Sequence, residues 1–127
     1  MDHSTLIELT QRLLDSIAAG DWETYERLCD PTLSAFEPEA RWQLVEGMEF
    51  HRFYFELERS QSPVNTTIAS PHVRLLGEAA AVVSYVRLIQ QLDEQGRPRT
   101  TAFEETRVWR RDPDGWRHVH FHRSTNA

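Results

Sequence analysis

The chain has 127 residues and a mass of 14.9 kDa, enough for one domain with a real core and too little for two. A formal charge of -6 with a pI near 5.5 argues against nucleic acid as a partner, because an acidic surface repels phosphate backbones. All 14 basic side chains are Arg and none is Lys, which excludes Schiff-base chemistry and a P-loop lysine.

Met1 to Ala19 lacks the basic start and apolar core of a signal peptide, and no apolar run approaches the ~20 residues needed to cross a bilayer. No membrane partner is expected. From Ser4 to Ala19, Leu6, Leu9, Leu13 and Ile17 recur at helical spacing behind a Ser4 cap, and Gly20 ends the helix. A second short helix is expected over Trp22 to Cys29, stopped by Asp30-Pro31. Cys29 is the single cysteine, without a disulfide partner or a neighbouring thiol for a metal, which suits a reducing cytoplasm and makes a cytoplasmic location the expectation.

Leu33 to Phe36 reads as a short strand. Arg41 to about Glu58 resumes a helical pattern, with Leu44, Met48, His51 and Phe55 on one stripe. After the turn-rich Ser60 to Pro63 the period falls to two. Strands are expected over Thr66 to Leu76, Ala80 to Leu92, Thr100 to Arg111 and Trp116 to Arg123. Gly77-Glu78, Glu94 to Pro98 and Asp112-Pro113-Asp114-Gly115 supply the turns. Helices followed by antiparallel strands imply an α+β domain spanning residues 1–127, with a long helix packed on one face of a curved sheet.

Alternation places Tyr85, Arg87 and Ile89 on one face of their strand, Glu105, Arg107 and Trp109 on one face of the next, and Val119, Phe121 and Arg123 on one face of the last. If these are the concave faces, three guanidiniums project inward and need anionic partners. Internal pairing to Glu37, Glu39 or Glu105 is one outcome; a pocket for a small carboxylate or another chain's acidic end is the other. His118, His120 and His122 also alternate, so all three imidazoles are expected to share a face. Spread over ~13 Å of strand, they are too far apart to meet at one metal ion. No metal and no cofactor is expected. His51, on the stripe of the third helical segment, reads first as a core residue, and with Glu105 or Asp30 it would form a general acid/base pair. Trp22, Trp42, Trp109 and Trp116 read as packing residues.

Longer words carry a resemblance. CDPTLSAFEPEA (Cys29 to Ala40), LVEGMEFHRFYFE (Leu44 to Glu56), TTIASPHV (Thr66 to Val73), SYVRL (Ser84 to Leu88), GRPRT (Gly96 to Thr100), EETRVW (Glu104 to Trp109) and VHFHRS (Val119 to Ser124) follow one another in order, with GDWETY (Gly20 to Tyr25) ahead of them. The chain resembles, over nearly its whole length, the association or hub domain of calcium/calmodulin-dependent protein kinase II. The resemblance implies a cone-shaped nuclear transport factor 2-like fold, no catalysis, and a homo-oligomer of twelve or fourteen subunits in two stacked rings. It also implies a cavity for small carboxylates related to hydroxybutyrate, lined by Tyr25, His51, Arg87, Arg107 and Arg123. Kinase and calmodulin-binding segments are not expected in this chain, and Glu58 to Val64 is shorter than its hub counterpart and lacks the tryptophan over the pocket. The alternative is a small-molecule enzyme in the same cone, resembling ketosteroid isomerases or SnoaL-like cyclases.

Overall fold

A computed structural model describes residues 2–41, 43–59 and 61–124. Helix α1 (Asp2–Ala19) is longer than expected by two residues, and buries Leu6, Leu13 and Leu14 on one face. Each fully buried leucine contributes roughly 1.5–3 kcal/mol relative to exposure. Thr10 and Ser16 also lie on the buried side, where their hydroxyls donate to the carbonyls of Leu6 and Leu13 at 2.8 and 2.6 Å and so avoid an unpaired burial cost. Gly20, at φ 70°, takes the left-handed conformation that stops α1. Asp21 caps α2 (Trp22–Leu28) by accepting from the Thr24 N–H at 3.1 Å.

Strand β1 (Cys29–Phe36) follows directly, then a 3₁₀ turn (Pro38–Ala40), a two-residue strand β2 (Val45–Glu46) and helix α3 (Glu49–Phe55). The continuous helix expected over Arg41 to Glu58 does not form. The turn ends with Arg41 in the left-handed region at φ 53°, and Gly47 at φ 86° donates to the Leu33 carbonyl at 2.7 Å, which ties β2 against β1. The helical stripe therefore holds only from Met48 onward. His51 is buried and Met48 and Phe55 pack on the core, whereas Leu44 is exposed.

Four long strands complete the chain: β3 (Val64–Leu76), β4 (Ala80–Leu92), β5 (Pro98–Asp112) and β6 (Gly115–Arg123), close to the expected bounds. They join β1 and β2 in one sheet of order β2-β1-β6-β5-β4-β3, antiparallel throughout except for the parallel β1–β6 pair. In β3 the register shifts between Ala69 and His72, with Ser70 at φ 50°, an irregularity of the kind that bends a strand. The sheet curves around α1, and the core of Leu33, Ala35, Val83, Trp109 and Phe121 lies between them. Trp109 is fully buried and Trp22 and Trp116 pack against the core; Trp42 lies outside the described residues.

One expectation about parity fails. Trp109 pairs with His118 but Val108 pairs with His120, so Val119 is an extra residue in β6, a β-bulge. Residues before it change face. His118 is fully buried on the inner side with Phe121, while His120 and His122, opposite Val108 and Thr106, lie on the outer side. The three imidazoles do not share a face, and Val119 has no partner in the β5–β6 register.

Candidate functional site

Cross-strand register builds the site. Tyr85 stands opposite Glu105, and Arg107 stands opposite Phe121, so the inward residues of β4, β5 and β6 meet in the middle of the concave face. Glu105, its side chain wholly buried, accepts from the Tyr85 hydroxyl at 2.6 Å, from Arg87 Nη1 at 3.3 Å and from Arg107 Nη2 at 3.1 Å. Arg107 Nε also donates to the Tyr85 hydroxyl at 2.8 Å, and its guanidinium lies 4.4 Å from the Phe121 ring centroid. Burial alone would push the Glu105 carboxyl up, but Arg107 and Arg87 outweigh it and hold the group at about 2. It stays ionised at any working pH.

The third arginine is paired differently. Arg123, near the end of β6, stacks its guanidinium 5.2 Å from the Phe103 ring centroid and donates from Nη2 to both carboxylate oxygens of Glu39, on the 3₁₀ turn. The arginines expected to need anions thus have them within the chain: Glu105 for two and Glu39 for one.

His51, from α3, reaches the same space. Its Nδ1 lies 3.5 Å from the Glu37 carboxylate, and neither side chain is more than 9% exposed. Burial, with Arg107 nearby, lowers His51 to about 4, and burial, with Glu39 nearby, raises Glu37 to about 7. At neutral pH His51 is a neutral imidazole beside a carboxyl that burial holds well above its usual range. The acid/base pairing of His51 with Glu105 or Asp30 is not formed: Glu105 is locked between guanidiniums, and Asp30 pairs with Arg110 at 2.8 Å away from the site. Tyr25, from α2, is buried against Phe55 and His51, with ring centroids 4.8 and 6.2 Å away.

Tyr25, His51, Arg87, Arg107 and Arg123 therefore border one cavity of about 140 Å³, together with Glu37 and Glu39. Sequence reasoning placed the two glutamates only as counter-ions. The word FEPEA, with carboxylates on both sides of Pro38, was the available signal that this turn enters the site. Three buried nitrogens at the cavity, Arg87 Nε, Arg123 Nε and His51 Nε2, have no hydrogen-bond partner among the described residues. Buried polar atoms are normally paired, so the two guanidinium N–H groups are equipped to meet the oxygens of a small anion. Among the described residues no group of three or more His, Cys, Asp or Glu side chains is placed to hold a metal ion, and no helix is long and apolar enough to cross a membrane.

A bent sheet enclosing a long N-terminal helix, with a cavity in the concavity, defines a nuclear transport factor 2-like protein. A superfamily protein from Salmonella enterica has the same fold, with a TM-score of 0.77 and 26% identity over 98% of this chain and 90% of that one. More specific likenesses follow. The family model for the calcium/calmodulin dependent protein kinase II association domain matches residues 2–127. The delta subunit of the kinase from Oryctolagus cuniculus is 54% identical over 121 residues, which is 94% of this chain and 23% of that protein's length. The kinase II hub homology domain of Chlamydomonas reinhardtii superposes with a TM-score of 0.95 and 45% identity, each chain covered completely. The chain belongs to the calcium/calmodulin-dependent protein kinase II association domain family, whose members are non-catalytic hubs. It spans under a quarter of the curated relative, so the match concerns the hub and not the rest of that protein.

Proposed function

We propose that the chain assembles with copies of itself into a closed ring-like homo-oligomer, of twelve or fourteen subunits in two stacked rings, and that its cavity holds a small carboxylate. The assembly reading is carried by the outer face of the sheet. Opposite the buried set, Val82, Val86, Leu88 and Val108 alternate outward on β4 and β5 with Ser84 and Thr106, and His120 and Ser34 continue this surface onto β6 and β1. These residues are only partly buried in the single chain. A broad face of valine, leucine and small hydroxyls is a surface that contact with another copy can bury; a ring closes where such copies meet head to tail, or where self-complementary pairs join through a second interface.

Sedimentation at micromolar concentration tests this. A mass near twelve or fourteen times the 14.9 kDa of one chain is expected, falling on Val108→Glu with the circular dichroism unchanged. A 15 kDa species at every concentration overturns the ring. The pocket reading is supported by the unpaired Arg87 Nε and Arg123 Nε beside a cavity with room for only a few non-hydrogen atoms, which favours a small carboxylate over an acidic peptide. Tyr25 and His51 supply the polarizable wall. Calorimetric titration with propionate should give heat that Arg123→Gln abolishes; no heat from the intact chain overturns the pocket.

A further inference from the structure

The three arginines of the cavity differ in how firmly they hold their internal carboxylates, and the difference identifies what an entering anion must displace. Glu105 is fixed. Its side chain is wholly buried in the middle of β5 and accepts three hydrogen bonds, from Tyr85, Arg87 and Arg107. Withdrawing it would strand two buried guanidiniums, so no small ligand competes for that position. Glu39 is held far less. Its side chain is 38% exposed against 15% for Arg123, and the turn that carries it has no buried residue.

That turn is also local in its bonding. Its backbone bonds run from Ala40 N to Glu37 O at 3.0 Å, Arg41 N to Pro38 O at 3.1 Å and Gln43 N to Ala40 O at 3.2 Å, all within the segment. Arg41, in the left-handed region, forms its end. A few torsions there are enough to swing the Glu39 side chain toward solvent without disturbing the sheet. Arg123 would stay in place, because it is seated on the Phe103 ring from β5.

We propose that Glu39 is an internal occupant of the anion site, its carboxylate filling the place on Arg123 that a ligand carboxylate takes, so that ligand binding is an exchange in which Glu39 leaves. This rests on the carboxylate reading of the cavity given above. Two consequences follow from charge. With Glu39 on Arg123 and Glu105 between Arg87 and Arg107, each guanidinium has a carboxylate within the chain, which explains how three of them are held in a concave core. Glu39 also sets the affinity. A ligand must outcompete a tethered carboxylate whose local concentration is fixed, so weak binding of free carboxylates is a property of this turn as much as of the arginines.

The test uses the full chain and propionate as the probe, by calorimetry at constant salt and pH, with wild type, Glu39→Gln and Arg123→Gln compared. Gln keeps the length of the side chain but removes the charge, and a partly exposed ion pair is worth about 1 kcal/mol. Glu39→Gln should therefore bind propionate roughly fivefold more tightly, or better. Arg123→Gln should lose binding. If wild type binds and Glu39→Gln binds no more tightly, the exchange is wrong while the pocket stands. If neither wild type nor Glu39→Gln binds, the carboxylate reading itself fails and the exchange with it. Sedimentation of each variant must give the wild-type mass, so that a change in assembly is not read as a change in the site.

Discussion

Replacing Glu37 by Gln should change the way stability depends on pH. Glu37 is buried against His51, and burial with the nearby Glu39 raises its carboxyl from an ordinary 4.5 to about 7. A group whose pKa is higher in the folded state binds its proton more firmly there. It stabilises the fold below pH 4.5, and that contribution is lost as pH rises through 7. At 1.36 kcal/mol per pH unit of displacement the loss amounts to about 3 kcal/mol. His51 acts in the opposite sense. Burial lowers it from 6.5 to about 4, so its contribution is present above pH 6.5 and disappears as pH falls through 4, again by about 3 kcal/mol.

In the wild type the two slopes overlap between about pH 4.5 and 6.5 and nearly cancel, giving a flat profile where each residue alone would give a steep one. Glu37→Gln removes only the first. The variant should gain on wild type by about 3 kcal/mol between pH 4 and pH 8, with its own stability rising through the histidine window. Urea unfolding at matched chain concentration, repeated at half-unit pH steps, measures this difference directly. Curves for wild type and variant that run parallel from pH 4 to pH 8 would refute the reasoning, because they would mean that Glu37 titrates like an exposed carboxyl.

Glu105→Gln should destabilise the chain by about 3–5 kcal/mol, since it leaves the buried Arg87 and Arg107 without their shared carboxylate; a loss under 1 kcal/mol in the same unfolding assay would mean that the arginines re-pair elsewhere. Cys29 is 2% exposed and burial pushes its thiol up to about 12, so at pH 8 it should carry about a thousandfold less thiolate than an ordinary cysteine. Native protein should therefore react slowly with a disulfide reagent and at full speed once unfolded in guanidinium; fast labelling of the native chain would place Cys29 at the surface.

The strands were legible because each is long and its faces differ. Alternation put Tyr85 with Arg87 on one face of β4 and Glu105 with Arg107 on one face of β5, and the ladder joins these same residues. The segment from Arg41 to Glu58 was not legible, for a physical reason. Its apolar spacing fits a helix, but a helix through Gly47 would give up the bond from Gly47 N–H to Leu33 O and the pairing of Val45 with Ala35. These are contacts with a strand ten or more residues away, and periodicity within the segment carries no trace of them. The same limit hid the pairing of His51 with Glu37, which depends on where the turn after β1 folds back.

The bulge at Val119 decides more than local geometry. Were the β5–β6 ladder regular through that point, His118 would lie on the outer face with His120 and His122, as alternation alone predicts. Instead the extra residue turns His118 inward, where its Nδ1 meets Cys29 Sγ at 3.4 Å and its Nε2 lies 3.4 Å from Arg107 Nη1. Burial and the adjacent Arg107 hold this imidazole well below its usual range, so it stays neutral and offers Arg107 a lone pair in place of a second positive charge. A charged His118 would oppose the very guanidinium that Glu105 and Tyr85 position. On the outer face, His120 bonds Ser34 at 2.7 Å across the β1–β6 pair. One inserted residue therefore supplies a neutral support beneath the arginines and leaves His120 and His122, without His118, on the outer face of the sheet.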